Sequence, residues 1–204
     1  MSPNDITRLA AERPDFAAIA AWIPKSASVL DLGCGDGSLL RYLKETRAVR
    51  GYGVEIRDLD IVSCIVNGVN VIQNDLESGL SDFEDNSFDF VILSQTLQAT
   101  HHTVALIQEM LRVGREGIVS FPNFGYWKNR LGVLRGNMPV SSELPYQWYN
   151  TPNVHLCTLH DFESFCREHC VAVLERRVMA GEKEVRLLPN LLGSTAVYRF
   201  QRAL

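Results

Sequence analysis

Long apolar runs are missing from this sequence. No stretch approaches the ~20 residues that cross a bilayer as a helix, so no membrane span is expected. A charge excess is missing too: 20 Lys and Arg stand against 24 Asp and Glu, and both signs are scattered along the chain. That balance offers no electrostatic grip on a nucleic-acid backbone or an anionic membrane, and neither is expected as a partner. The five cysteines, Cys34, Cys64, Cys157, Cys166 and Cys170, are odd in number and contain no C-x-x-C pair. They read as reduced thiols packed as small apolar groups, which argues against a secreted disulfide framework. His155, Cys157 and His160 lack a convincing fourth ligand, so no metal site is expected. The first residues carry Asp5, Glu12 and Asp15 but no basic segment leading into an apolar core. A signal peptide is therefore not expected, and the expected location is cytoplasmic.

What is present is enough apolar material, 46% of 204 residues, for one core, and a single domain over 1–204 is expected. Phe16, Ile19 and Ile23 recur at helical spacing after Pro14, until Pro24 closes the pattern. Residues 28–32 read as a strand running into glycines, and Leu39, Leu40 and Leu43 mark the helix beyond it. Strands at 49–56, 69–73, 88–93 and 117–121 then alternate with helices, one over 58–66 with Ile61 and Ile65 on one face, another with Val104, Ile107 and Leu111 on one face. Continuous apolar strands alternating with amphipathic helices predict a parallel sheet covered on both faces. Residues 170–175 and 195–200 are expected to pair antiparallel at one edge.

The alternation breaks over residues 122–157, which hold a third of the chain's aromatic side chains. Such a segment is too apolar for a solvated linker and reads as an ordered insertion or lid over the C-terminal edge of the sheet. Order resumes at Thr158, where Thr158 and Asp161 have the spacing of a capping box.

The strongest chemical signal is Asp31-Leu32-Gly33-Cys34-Gly35-Asp36-Gly37, between a strand and a helix. Alternate glycines let backbone approach a ligand, and amides at the helix start attract a carboxylate or phosphate. A dinucleotide fingerprint wants its last glycine at position 38, where this chain has Ser38, and the shift favours a nucleoside without a pyrophosphate. Glu55, ending the second strand, is placed to accept both hydroxyls of a ribose, and Ile56 to pack on a base. Asp75 beyond the third strand reads either as an adenine amino acceptor, with Leu76 adding apolar contact, or as a surface-loop acid. The segment beginning at Ser94 and running to Gln98 follows the fourth strand and is expected to line the far side of the ligand, with helix entry as an equal reading for Gln95 and Gln98. His101, His102, Asn123 and Tyr126 follow the fourth and fifth strands and are the candidates for acceptor binding or catalysis, each with a structural reading in capping or packing beside it. No Asn-Pro-Pro-aromatic motif follows the fourth strand, which disfavours methylation of a flipped base.

Over about residues 28–121, the glycine loop, Glu55, Asp75 and the strand order resemble the class I S-adenosylmethionine-dependent methyltransferases. The resemblance implies an α/β, Rossmann-like fold with a mainly parallel seven-stranded sheet, a terminal antiparallel hairpin and helices on both faces. It implies S-adenosylmethionine or S-adenosylhomocysteine as ligand, with Asp31, Gly33, Cys34, Gly35 and Gly37 around the methionine portion, Glu55 on the ribose, Asp75 on the adenine and Ser94 toward the sulfur. More specific segments, Leu93-Ser94-Gln95-Thr96-Leu97-Gln98, Phe121-Pro122-Asn123-Phe124-Gly125, Met138-Pro139-Val140, residues 144–153 and His155-Leu156-Cys157-Thr158, are similar to the MetW family of methionine-biosynthesis proteins. That likeness implies a protein supporting or regulating the homoserine O-acyltransferase MetX, with methyl transfer to an unidentified small metabolite as the alternative. Two positions depart from the family pattern: Arg57 replaces an expected acid and Tyr126 an expected histidine.

Overall fold

A computed structural model describes Leu9 and residues 13–203. Its strands are β1 (Ser28–Leu32), β2 (Arg50–Glu55), β3 (Asn70–Gln73), β4 (Phe88–Ser94), β5 (Gly114–Pro122), β6 (Val171–Ala180), β7 (Lys183–Glu184) and β8 (Thr195–Arg202). They form one sheet in the order β3-β2-β1-β4-β5-β8-β6-β7. The first five are parallel, and β8 runs antiparallel to both β5 and β6. This is the class I methyltransferase topology with one addition to the seven strands expected. β6 continues past Glu175 to Ala180, turns at Gly181 with φ +59°, and returns the two residues of β7 against Met179 and Ala180.

Helices α1 (Pro14–Trp22), α2 (Ser38–Arg47), α3 (Asp58–Val66), α4 (Thr103–Val113), α5 (Trp127–Leu134), α6 (Leu159–Glu168) and the single turn α7 (Pro189–Leu192) are the α-helices of the described residues that flank the sheet. Alternating strand residues divide the core into two. Val29, Ile92, Ile118 and Val197 pack with Phe16, Ile19, Leu39 and Leu43 of α1 and α2. Leu30, Val91, Val119 and Tyr198 face the other way, onto Leu106, Ile107 and Met110 of α4 and Phe162 of α6. The capping box at the start of α6 forms as its spacing predicts: Thr158 Oγ1 accepts from the Asp161 amide, and the Asp161 carboxylate accepts from the Thr158 amide.

Ile61 and Ile65 share a face of α3, as their spacing predicts, but that face is not the buried one. Cys64 is its one buried residue, whereas Ile61 is half-buried and Ile65 is exposed. The helix lies at the end of the sheet, where it covers little beyond Val69 and the Gly37 turn, so a single small side chain suffices to dock it.

Strand order reverses between β1 and β4, because the chain runs outward to β2 and β3 on one side and to β4 and β5 on the other. At such a switch point the loops diverge beyond the strand ends and leave a crevice.

Candidate functional site

A cleft of about 500 Å³ occupies that crevice, floored by the glycine loop and walled by the ends of β2 and β4. Gly33, Gly35 and Gly37 have φ of +65°, +55° and +76°, values that L side chains rarely adopt. At Gly33 the conformation and the space act together, since an added Cβ would stand 2.7 Å from the Thr96 side chain. At Gly35 an added Cβ would meet nothing within 4 Å, so this backbone is bare toward the open cleft. Gly37 is the left-handed N-cap of α2.

Glu55 ties the site together. Its Oε2 accepts from the Gly35 amide at 2.9 Å, and its Oε1 accepts from the amides of Ile56 and Arg57 at 2.9 and 3.1 Å. These bonds orient a buried carboxylate whose remaining lone pairs are open to further donors. Arg57 pairs with Asp60 and lies 3.8 Å from Glu55, so this departure from the family pattern places a cation at the rim instead of a second acid. Asp31 is 1% exposed, and its Oδ1 has no hydrogen-bond partner. Burial pushes its carboxyl up to about 8, with Arg13 pulling it down and Asp15 and Glu55 adding to the rise. An unpartnered buried carboxylate oxygen beside a cleft calls for a donor, and a cationic one satisfies it best.

The other residues expected on the ligand divide. Ile56, Asp75 and Leu76 line the cleft. Asp75 also caps the following turn by accepting from the Glu77 amide at 2.9 Å, so its two readings coexist. Cys34 borders the cleft, but its thiol packs over Gly53 and lies 3.7 Å from Cys64 Sγ, and burial pushes its pKa up. The Ser94 hydroxyl is committed: it donates to Asp15 Oδ2 at 2.9 Å and accepts from Arg13 at 2.9 Å. Gln95 and Thr96 face the cleft, while Leu97 and Gln98 line a second cavity.

Among the four acceptor-side candidates, none lines the cleft. His101 and His102 border the second cavity, about 670 Å³ and largely apolar, between α4, α6 and residues 155–157. Asn123 is fully buried and spends its amide on structure, donating to the carbonyls of Asn190 and Gly193 and accepting from the Gly125 amide. Tyr126 opens on a third cavity beside α5. From the insertion, Tyr146 and Pro152 do reach the cleft wall.

Sequence reasoning missed Arg13 and Asp15. Asp15 is buried in α1, accepts from Arg13, Ser94 and Ser120, and joins that helix to the ends of β4 and β5. The available signal was an acid on the same helical face as Ile19 and Trp22. Gln95, weighed from the sequence as either a ligand contact or a helix-entry residue, lines the cleft; its φ of +56° marks it as strained, and its amide donates to the Ser120 carbonyl at 2.9 Å.

The profile of the family described as methionine biosynthesis protein MetW matches residues 13–200. The bifunctional methionine biosynthesis protein MetXA/MetW of Rhodopirellula baltica is 37% identical over 214 residues, covering 98% of this chain and 34% of that protein. The chain thus spans about a third of the length of this relative. Among solved structures, an S-adenosylmethionine-dependent methyltransferase from Mesorhizobium loti superposes with a TM-score of 0.69 at 17% identity, over 95% of this chain and 98% of that one. The magnesium protoporphyrin IX methyltransferase of Synechocystis, with bound S-adenosylhomocysteine, gives 0.64 at 17% identity, over 95% and 84%. The [4+2]-cyclase SpnF gives 0.68 at 15% identity, over 97% and 83%, so the shared fold serves more than one chemistry.

Proposed function

Because the chain belongs to the MetW family of methionine-biosynthesis proteins, we propose that it binds S-adenosylmethionine or S-adenosylhomocysteine in the cleft beyond β1 and β4 and supports or regulates the homoserine O-acyltransferase MetX. The observation that carries the ligand is the pairing of two buried acids across a bare glycine backbone. Asp31 offers an unpartnered oxygen to the ammonium of the methionine portion, and Glu55 offers its free lone pairs to the ribose diol. Ile56 and Leu76 are placed for the faces of the adenine, and Asp75 for its amino group. S-adenosylmethionine, when bound, supplies an activated methyl group. This chain's own residues bind and orient the ligand.

The supporting role is favoured by the placement of the acceptor-side candidates: His101, His102, Asn123 and Tyr126 are not among the residues lining the cleft. The bifunctional relative joins the MetXA and MetW names in one protein, which supports MetX as partner.

Calorimetry with S-adenosylhomocysteine should show one site per chain, weakened roughly thirtyfold in Glu55→Gln, equivalent to about 2 kcal/mol for a lost charged acceptor. Mixing with MetX from the same source should give a complex with altered acyl transfer. No binding of the nucleoside by the folded chain would end the ligand reading. Unchanged acyl transfer together with labelled methyl appearing on a metabolite would replace the supporting role with catalysis.

A further inference from the structure

Helix α3 packs its one buried residue against the back of the glycine loop. Cys64 is fully buried, and its thiol donates to the Gly35 carbonyl at 3.1 Å. Burial pushes the Cys64 pKa up, so the thiol keeps the proton that it donates. Cys34 Sγ stands 3.8 Å from the same oxygen, which leaves Cys64 as its nearer donor. The loop passes directly over this thiol, since a Cβ added at Gly37 would lie 3.0 Å from Cys64 Sγ. Three residues on, Asn67 caps the helix and donates from Nδ2 to the Asp36 carbonyl at 2.8 Å. Arg41 of α2 fixes that amide group by donating to Asn67 Oδ1 at 2.7 Å. Two consecutive carbonyls of the loop are thus held from the end of α3.

Fixing a carbonyl fixes the amide of the same peptide. In a planar trans peptide the N–H points opposite to the C=O, so a Gly35 carbonyl turned to Cys64 turns the Asp36 N–H away from the packed interior. From Gly33 to Ser38 the other amides all have protein acceptors: Gly33 and Cys34 donate to the Val54 carbonyl, Gly35 to Glu55, Gly37 to the Cys34 carbonyl and Ser38 to Asp36 Oδ1. Only the Asp36 amide has none among the described residues, and Asp36 lines the cleft. A fixed N–H open to a cleft is an anion donor that needs no reorganisation. We infer that Cys64 and Asn67 are positioning residues for the cleft: by holding the Gly35 and Asp36 carbonyls, they aim the Asp36 amide at the carboxylate of the ligand's methionine portion. This inference rests on the nucleoside reading above, in which Asp31 meets the ammonium and Glu55 the ribose, and it supplies the partner for the remaining charged group. Arg13 and Arg57 also line the cleft, but Arg13 is bonded to Asp15 and Ser94, and Arg57 is paired with Asp60.

The test uses the full chain and two nucleosides, S-adenosylhomocysteine and methylthioadenosine, which share adenine, ribose and sulfur but differ in the arm that carries the carboxylate. Calorimetry on Cys64→Ala and on Asn67→Ala should show S-adenosylhomocysteine bound roughly fivefold more weakly by each, with methylthioadenosine bound as by wild type. Cys64→Ser keeps a donor and should recover most of the loss. Asn67 is half-buried at the helix end, so its variant reads the same effect even where Cys64→Ala loses the fold. In a nitrogen-edited NMR spectrum of wild type, the Asp36 amide proton should move downfield with S-adenosylhomocysteine and stay in place with methylthioadenosine. The inference is overturned if the folded variants bind S-adenosylhomocysteine as wild type does, if they weaken both nucleosides alike, if Cys64→Ser binds no better than Cys64→Ala, or if the Asp36 amide responds equally to the two ligands. Wild type that binds both nucleosides with equal affinity would also overturn it, leaving the nucleoside site standing. Wild type that binds neither would remove the nucleoside reading itself, and this inference with it.

Discussion

Asp31 holds its proton where an unfolded chain has lost it, because burial raises its carboxyl to about 8. For an acid raised in the folded state, the favourable contribution is complete below the unfolded value near 4 and is lost as pH climbs toward 8. Asp31→Asn should remove that loss. In urea unfolding the variant should gain stability over wild type as pH rises from about 5 to about 8, by on the order of 4 kcal/mol. The same group couples ligand binding to pH. An ammonium placed against Asp31 favours the ionised carboxylate, so S-adenosylhomocysteine affinity should rise between about pH 6 and about pH 8, with proton release visible as a buffer-dependent heat. An affinity flat over this range in wild type would show that no cation faces Asp31. The position of Asp31 was legible from the strand-glycine pattern. Its missing partner was not, because that depends on which donors the neighbouring strands bring within reach.

At the scale of the element, α6 illustrates what local sequence carries. Thr158 and Asp161 satisfy each other's amides across the first turn, and the spacing alone specifies the arrangement. Thr158→Ala should cost about 1 kcal/mol, read as a lower denaturation midpoint with an unchanged denaturant slope. A change in slope would instead mean that residues beyond the cap had rearranged. Helix α3 shows the reverse. Its limits, Asp58–Val66, were readable from the sequence, yet the face it buries was not. Periodicity favours the side with Ile61 and Ile65, but the end of the sheet offers room for Cys64 alone. An amphipathic pattern says which side chains share a face; only the neighbouring surface says whether that face has anything to cover.

Across the whole molecule, the buried group of Arg13, Asp15, Ser94 and Ser120 links α1 to the middle of the sheet. Asp15 is the shared acceptor, so Asp15→Ala leaves two hydroxyls and a guanidinium to find other partners. The expected cost is about 2 kcal/mol, moderated because Arg13 is partly open to solvent. Since Ser94 and Arg13 also border the cleft, nucleoside affinity should fall along with stability. A loss of stability with affinity intact would separate this network from the site.

Much about this protein was determined by the sequence on its own: the alternation of apolar strands and helices, the glycine loop with its acid, the strand-end Glu55, and the capping box of α6. Each depends on groups close together along the chain, or on a period that any parallel sheet must satisfy. Tertiary structure decided the rest. It paired the Gly35 amide with Glu55, left Asp31 Oδ1 without a donor, brought Arg13 and Asp15 to the strand ends, turned Asn123 inward and exposed Ile65 of α3. Those outcomes depend on which distant segments the sheet order makes neighbours, and on how much surface each neighbour can cover, quantities that no local spacing encodes.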